Sequence, residues 1–136
     1  MAVKIDIHSG IVCDEVRRED NGKLILIGVY PSNIVVAELP AVLVPWLAVK
    51  VHATNPPVDE PFDVKVVMGD KELRTAKGRM KIGDQSPTWI VLPNLLLEKI
   101  QEEGRLEFLV RVGGGRWKTA CWLPLSLKKP VTTAAT

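Results

Sequence analysis

IVCDEVRREDNGKLILIGVY, residues 11–30, decides how the rest of the chain is read. At its centre Asn21-Gly22 is a pair that tolerates the positive φ of a tight hairpin turn. The flanks, 13–18 before and 24–30 after, carry the apolar and β-branched residues of strands. An antiparallel hairpin is therefore the expectation here. Upstream, Val3, Ile5 and Ile7 alternate with Lys4, Asp6 and His8, and Ser9-Gly10 bends the chain before Ile11-Val12-Cys13 resumes it.

The same period of two recurs downstream, which is the signature of strands buried on one face. Ile34 to Ala37 makes a short strand and Trp46 to Ala53 a longer one, with Leu47, Val49 and Val51 inward and Lys50 and His52 toward water. Asn55-Pro56-Pro57 must be a loop, because adjacent prolines lack N–H donors. Phe62, Val64, Val66 and Met68 form the next inward row, and Gly69-Asp70 turns it into 72–76. Lys77-Gly78 reads as a further turn, and a polar loop over 83–87 leads into the apolar run Trp89 to Leu92. Leu106, Phe108, Val110 and Val112 alternate strictly, Gly113-Gly114-Gly115 turns, and Trp117, Thr119 and Cys121 return. One segment departs from this pattern: Asn94 is placed to cap a short helix from Leu95 to Glu103, with Leu96, Leu97 and Ile100 as its buried stripe and Gly104 just past its end. The expected fold is all-β, an antiparallel β-sandwich of immunoglobulin-like or C2-like character with one short helix. Residues 1–130 read as a single domain and 131–136 as a C-terminal tail.

Composition agrees. The chain has 136 residues, 46% of them hydrophobic and 25% charged, with 18 basic side chains against 16 acidic. At this size folding removes roughly two-thirds of the chain's surface from water, enough for a core without metal or disulfide staples. The net charge of +2 excludes a strongly basic nucleic-acid binder or an acidic tail. Its distribution is uneven: residues 1–68 hold 6 basic and 9 acidic groups, and 69–136 hold 12 and 7. Cys13 and Cys121 lie far apart with no CxxC spacing, so a zinc site is not expected. Lys4 and Asp6 interrupt any signal-peptide core, and no apolar run reaches the ~20 residues of a spanning helix. A cytoplasmic protein with reduced thiols and no membrane segment is the expectation.

Cys13-Asp14-Glu15-Val16-Arg17, the Gly22-Lys23-Leu24 turn and Leu26-Ile27-Gly28-Val29-Tyr30 resemble the opening of an uncharacterised bacterial family of stand-alone β-rich proteins. A Leu-Pro segment like Leu39-Pro40 and a late Gly-led strand like that at Gly104 follow in the same pattern. The specific motif covers about residues 11–30. The resemblance implies a bacterial or phage-borne intracellular protein and carries no catalytic residue over. Within the motif, Cys13, Asp14, Arg17, Asn21, Gly22 and Gly28 stand out as structural signature positions, with Arg17 a candidate to hold a buried carboxylate and fix the hairpin register.

Three functional readings compete. The leading one is a non-enzymatic protein acting by protein–protein contact, as an assembly or adaptor component and a homo-oligomer. Its candidate interface is Trp117, Trp122, Leu123, Leu125 and Leu127, within a contact spanning 117–136, because that terminal segment lacks the charges that protect open sheet edges. Trp117 and Trp122 differ by five positions, so simple alternation sends one into the core and leaves the other exposed. The second reading is an anion or nucleic-acid binder using Lys71, Arg74, Lys77, Arg79 and Lys81, a stripe opposed locally only by Glu72 but devoid of Phe, Tyr and Trp for stacking bases. The third is a hydrolase using Asp14, Glu15 and His52, which requires distant residues to converge. His8 and His52 have no nucleophile and orienting acid at recognisable spacing, and the glycine triplet is not followed by a Lys-Ser or Lys-Thr helix. No cofactor or metal is expected.

Overall fold

A computed structural model describes residues 4–84 and 86–129, so Val3 and the 131–136 tail lie outside the described residues. In chain order the strands are β1 (Lys4–Cys13), β2 (Glu15–Arg18), β3 (Leu24–Ile27), β4 (Ile34–Val36), β5 (Ala41–Leu43) and β6 (Trp46–Thr54). They continue with β7 (Val58–Met68), β8 (Lys71–Ile82), β9 (Thr88–Leu92), β10 (Leu97–Ile100), β11 (Gly104–Val112) and β12 (Lys118–Leu127). The chain is all-β. One sheet has the order β1-β6-β9 and another β4-β12-β11-β7-β8, while β2 pairs with β3 and β5 with β10.

The period of two places a single apolar core between the two larger sheets. Leu47, Val49, Val51 and Ala53 of β6 meet Phe62, Val64, Val66 and Met68 of β7, Leu106, Phe108 and Val110 of β11, and Leu123 and Leu125 of β12. Each of these Leu, Val, Phe and Met side chains contributes about 1.5–3 kcal/mol by leaving water. The opposite face of the three-stranded sheet is also covered. Ala48, Cys13 and Val16 form a second cluster flanked by Leu24, Leu26, Trp46, Trp89 and Val91, so the β2–β3 hairpin lies over the outside of β6.

Four local expectations are corrected. The 95–103 segment is not a helix; Asn94 takes a positive φ of 50° and the Leu95 N–H donates to the Pro45 carbonyl at 2.8 Å. Leu97 and Ile100 then pair with Leu43 and Ala41, burying Leu95, Leu97 and Ile100. Tertiary pairing with β5 wins because an apolar run this short satisfies either period. Lys77-Gly78 is not a turn, since β8 runs through it. Gly78 is there because the Phe62 ring crosses the strand: a Cβ at that position would stand 2.6 Å from Phe62 Cζ. In the first hairpin only Gly22 has positive φ, 88°, while Asn21 accepts a bond from the Lys23 N–H at 3.0 Å. The Gly22 N–H donates to the Glu19 carbonyl and the Glu19 N–H to that of Lys23, so the loop is one residue longer than an Asn-Gly turn and ends on a left-handed glycine. Finally, the strands are not uniformly antiparallel, because β4 runs parallel to β12.

Gly78→Val is expected to lower stability by about 1–3 kcal/mol, as Phe62 must leave its place across β8. Gly83→Ala, with nothing within 4 Å of its added carbon, should leave the thermal midpoint unchanged. Paired melting curves check both.

Candidate functional site

The signature residues build a junction. Asp14 sits at the bend between β1 and β2, and its N–H donates to the carbonyls of Ile27 and Gly28 at 2.9 and 3.2 Å. The Tyr30 N–H returns to the Val12 carbonyl at 3.0 Å, and the Tyr30 hydroxyl donates to Asp14 Oδ1 at 3.2 Å. Gly28 has a φ of 68°, and a side chain there would overlap the Asp14 carboxylate. Burial, and then the neighbouring Asp14 charge, raises the Tyr30 pKa above its ordinary value, so the phenol stays protonated as donor. Cys13, fully buried under the hairpin, is likewise raised by burial; its thiol donates to the Glu15 carbonyl at 3.5 Å. Arg17 holds no buried carboxylate. Its guanidinium meets Glu15 at 3.3 Å with both side chains largely in water, so it is not what sets the hairpin register.

The hydrolase residues are dispersed. Cys13 stands opposite Trp46 and Asp6 opposite His52, which separates Asp14 and Glu15 from His52 by about 20 Å of strand. Asp14 serves Tyr30 and Glu15 serves Arg17. His52 instead lies beside His8, with ring centroids 5.9 Å apart. Among the described residues no three His, Cys, Asp or Glu side chains are grouped to hold a metal ion. No helix is long and apolar enough to cross a membrane.

The basic stripe divides between two faces. Lys77, Arg79 and Lys81 alternate with the inward Gly78, Met80 and Ile82, so they share the outer face of the five-stranded sheet. Arg74 has the opposite parity and stands opposite the inward Val66, and a bulge at Leu73 turns Lys71 to that same side, opposite Met68, where its ammonium donates to the Lys99 carbonyl at 3.2 Å. Arg79 forms an ion pair with Asp59 on β7.

The terminal segment supplies the largest departure from expectation. Phe108 faces Cys121 and Leu109 faces Thr119, leaving Ala120 as an extra residue in β12. This bulge restores parity, so neither Trp117 nor Trp122 enters the core. Trp117 lies with the Lys65 ammonium 4.3 Å and the Arg111 guanidinium 4.5 Å from its ring centroid. Trp122 is 49% exposed and carries the Arg105 guanidinium 3.9 Å above its ring. Leu123 and Leu125 are buried, so these two face the core rather than an outer interface, and Leu127 is half-buried against the same core. What remains exposed beside Trp122 is a groove at the seam of the two sheets. Its walls are Gly10, Ile11 and Val12 of β1, the Val29-Tyr30-Pro31 segment, and Cys121 and Trp122, around a volume of about 270 Å³. Gly10 leaves room at this seam: a Cβ there would stand 3.0 Å from both the side chain and the carbonyl oxygen of Ala120. The groove residues from 29–31 were not read as functional in sequence, because no local pattern links them to position 122.

A family model of unknown function matches residues 8–122, from the second half of β1 through Trp122. The chain belongs to DUF6941. The match spans the Asp14–Gly28–Tyr30 junction, the Ala120 bulge and the groove, so all three lie within the DUF6941 domain. The expectation of an uncharacterised family therefore holds, and DUF6941 itself brings no activity to the site. No match was found among curated proteins.

Burial holds Cys121 protonated, its pKa pushed up to about 12, and Cys13 has no exposed surface. Native protein at pH 8 should therefore react with an aromatic disulfide reagent at least ~100-fold more slowly than denatured protein at both positions, Cys13 being the slower. Gly28→Ala should cost about 1–3 kcal/mol in a denaturant titration, through a strained φ and displacement of Asp14.

Proposed function

We propose that the protein is a non-enzymatic binding module that acts through protein–protein contact, an assembly or adaptor component of a bacterial or phage system in the cytoplasm. The architecture that suits this role is a β-sandwich of immunoglobulin-like or C2-like kind, whose seams and edges offer contact surface without a deep cavity. One observation carries the reading: Trp122 stands half in water beside an apolar groove, with Arg105 stacked on its ring. Exposed tryptophan and arginine held in a fixed pose are the residues on which interface energy concentrates. Stacking reduces the rotamer freedom lost on association, so the pair favours binding more than two mobile side chains would.

The partner we favour is a second copy of the chain. Val29, 44% exposed, lines the groove beside Trp122, Val35, 51% exposed, stands on β4, and among the described residues nothing pairs with the outer edge of β4. Water-exposed β-branched side chains next to an open strand edge suit association through that edge. The hydrolase reading on Asp14, Glu15 and His52 draws no support, since each group faces a different neighbour.

Light scattering across about 5–200 micromolar protein tests this reading. A mass that rises to that of a dimer or larger assembly is expected, and Trp122→Glu should return it to the monomer with the melting midpoint retained. A wild-type monomer throughout would refute self-association.

A further inference from the structure

The outer face of the five-stranded sheet collects charge and an aromatic ring that the sequence keeps far apart. From β8 come Thr75, Lys77, Arg79 and Lys81, from β7 Asp59, Asp63 and Lys65, and from β11 Arg111, with Trp117 just before β12. Asp59 and Asp63 stand directly opposite Lys81 and Lys77 in the β7–β8 register, yet their carboxylates turn to arginines. Asp59 pairs with Arg79, and Asp63 with Arg111 at 2.9 Å. Lys65, Lys77 and Lys81 consequently make no ion pair among the described residues, and Glu72 is the one acid near them that no arginine takes up. Lys65, Lys77, Thr75, Arg111 and Trp117 surround a shared hollow of about 230 Å³.

We propose that this face binds single-stranded nucleic acid, with Lys65, Lys77 and Lys81 meeting phosphates of one strand and Trp117 receiving a base. Lys77 and Lys81, four positions apart on one face of β8, stand about 13 Å apart, comparable with two phosphate repeats of an extended single strand. The Lys65 ammonium and Arg111 guanidinium are already held against the Trp117 ring, so few rotamers are lost when they engage a ligand. An acidic protein segment is the less favoured ligand, because it makes no use of a half-buried indole whose remaining surface suits a base. This surface is separate from the Trp122 groove, and the inference does not depend on the protein-contact reading.

Fluorescence anisotropy with a labelled oligothymidylate of about 12 nucleotides is the test. Micromolar binding at about 50 mM salt is expected, with a log–log salt slope near −2 for three neutralised phosphates. Lys65→Glu with Lys77→Glu should weaken it at least ~10-fold, and Trp117→Leu about fivefold or more. Arg18→Glu with Lys23→Glu, an equal charge reversal on the β2–β3 hairpin, should change it less than ~2-fold. Trp122→Glu should do the same, which separates this proposal from the contact reading. The proposal is overturned by absence of binding at low salt, by equal affinity for blunt duplex, by full competition from polyglutamate, or by equal weakening in the two double variants.

Discussion

Leu47, Ala48, Val49 and Val51 of strand β6 have almost no surface in water, and the rest of the molecule is arranged around that constraint. Leu47, Val49 and Val51 are 0–1% exposed on one side while Ala48 is 0% exposed on the other. Such a strand needs two covers. The five-stranded sheet supplies the first through β7, β11 and β12, and the β2–β3 hairpin supplies the second. For the hairpin to reach that position the chain must reverse sharply after Cys13 and return to β1 at Tyr30. The Asp14–Gly28–Tyr30 contacts perform that reversal, so the signature motif places the cover over β6.

The two packed sheets approach closely where Gly10 faces Ala120, and the same place generates the surface chemistry. An extra residue in β12 at the seam turns the strand so that both terminal tryptophans face outward. An indole in water is costly, and each is partly shielded by a cation: Arg105 over Trp122, Lys65 and Arg111 beside Trp117. One bulge therefore joins core packing, the exposed groove and the cationic face. The Trp122 groove and the hollow beside Trp117 are lined by different residues.

Electrostatics on the outer sheet face follows partner choice more than charge count. Arginine takes the carboxylates because its guanidinium offers forked donors in a fixed plane, whereas a lysine ammonium is strongly hydrated and keeps its water. Arg79 and Arg111 thus neutralise Asp59 and Asp63, and the lysines opposite those acids stay available. A net charge of +2 for the chain conceals this separation.

The alternation of Phe62, Val64, Val66 and Met68, or of Leu106, Phe108 and Val110, is legible directly, because a strand's side-chain period is local and its inward rows are apolar. The turn glycines at 22, 69 and 113 are legible for the same reason, each taking the positive φ that its own sequence permits. The 95–103 segment was not, since its leucines satisfy either period until β5 pairs with it. Gly78 looked like a turn because only Phe62, sixteen positions away and on another strand, explains the missing side chain. The sequence by itself determined a β-rich chain, its inward rows and the hairpin over residues 13–30, all of which rest on neighbours in the chain. Tertiary structure alone decided which way Trp117 and Trp122 face and which cations meet them, because a one-residue bulge and a strand order are settled by pairing between distant segments.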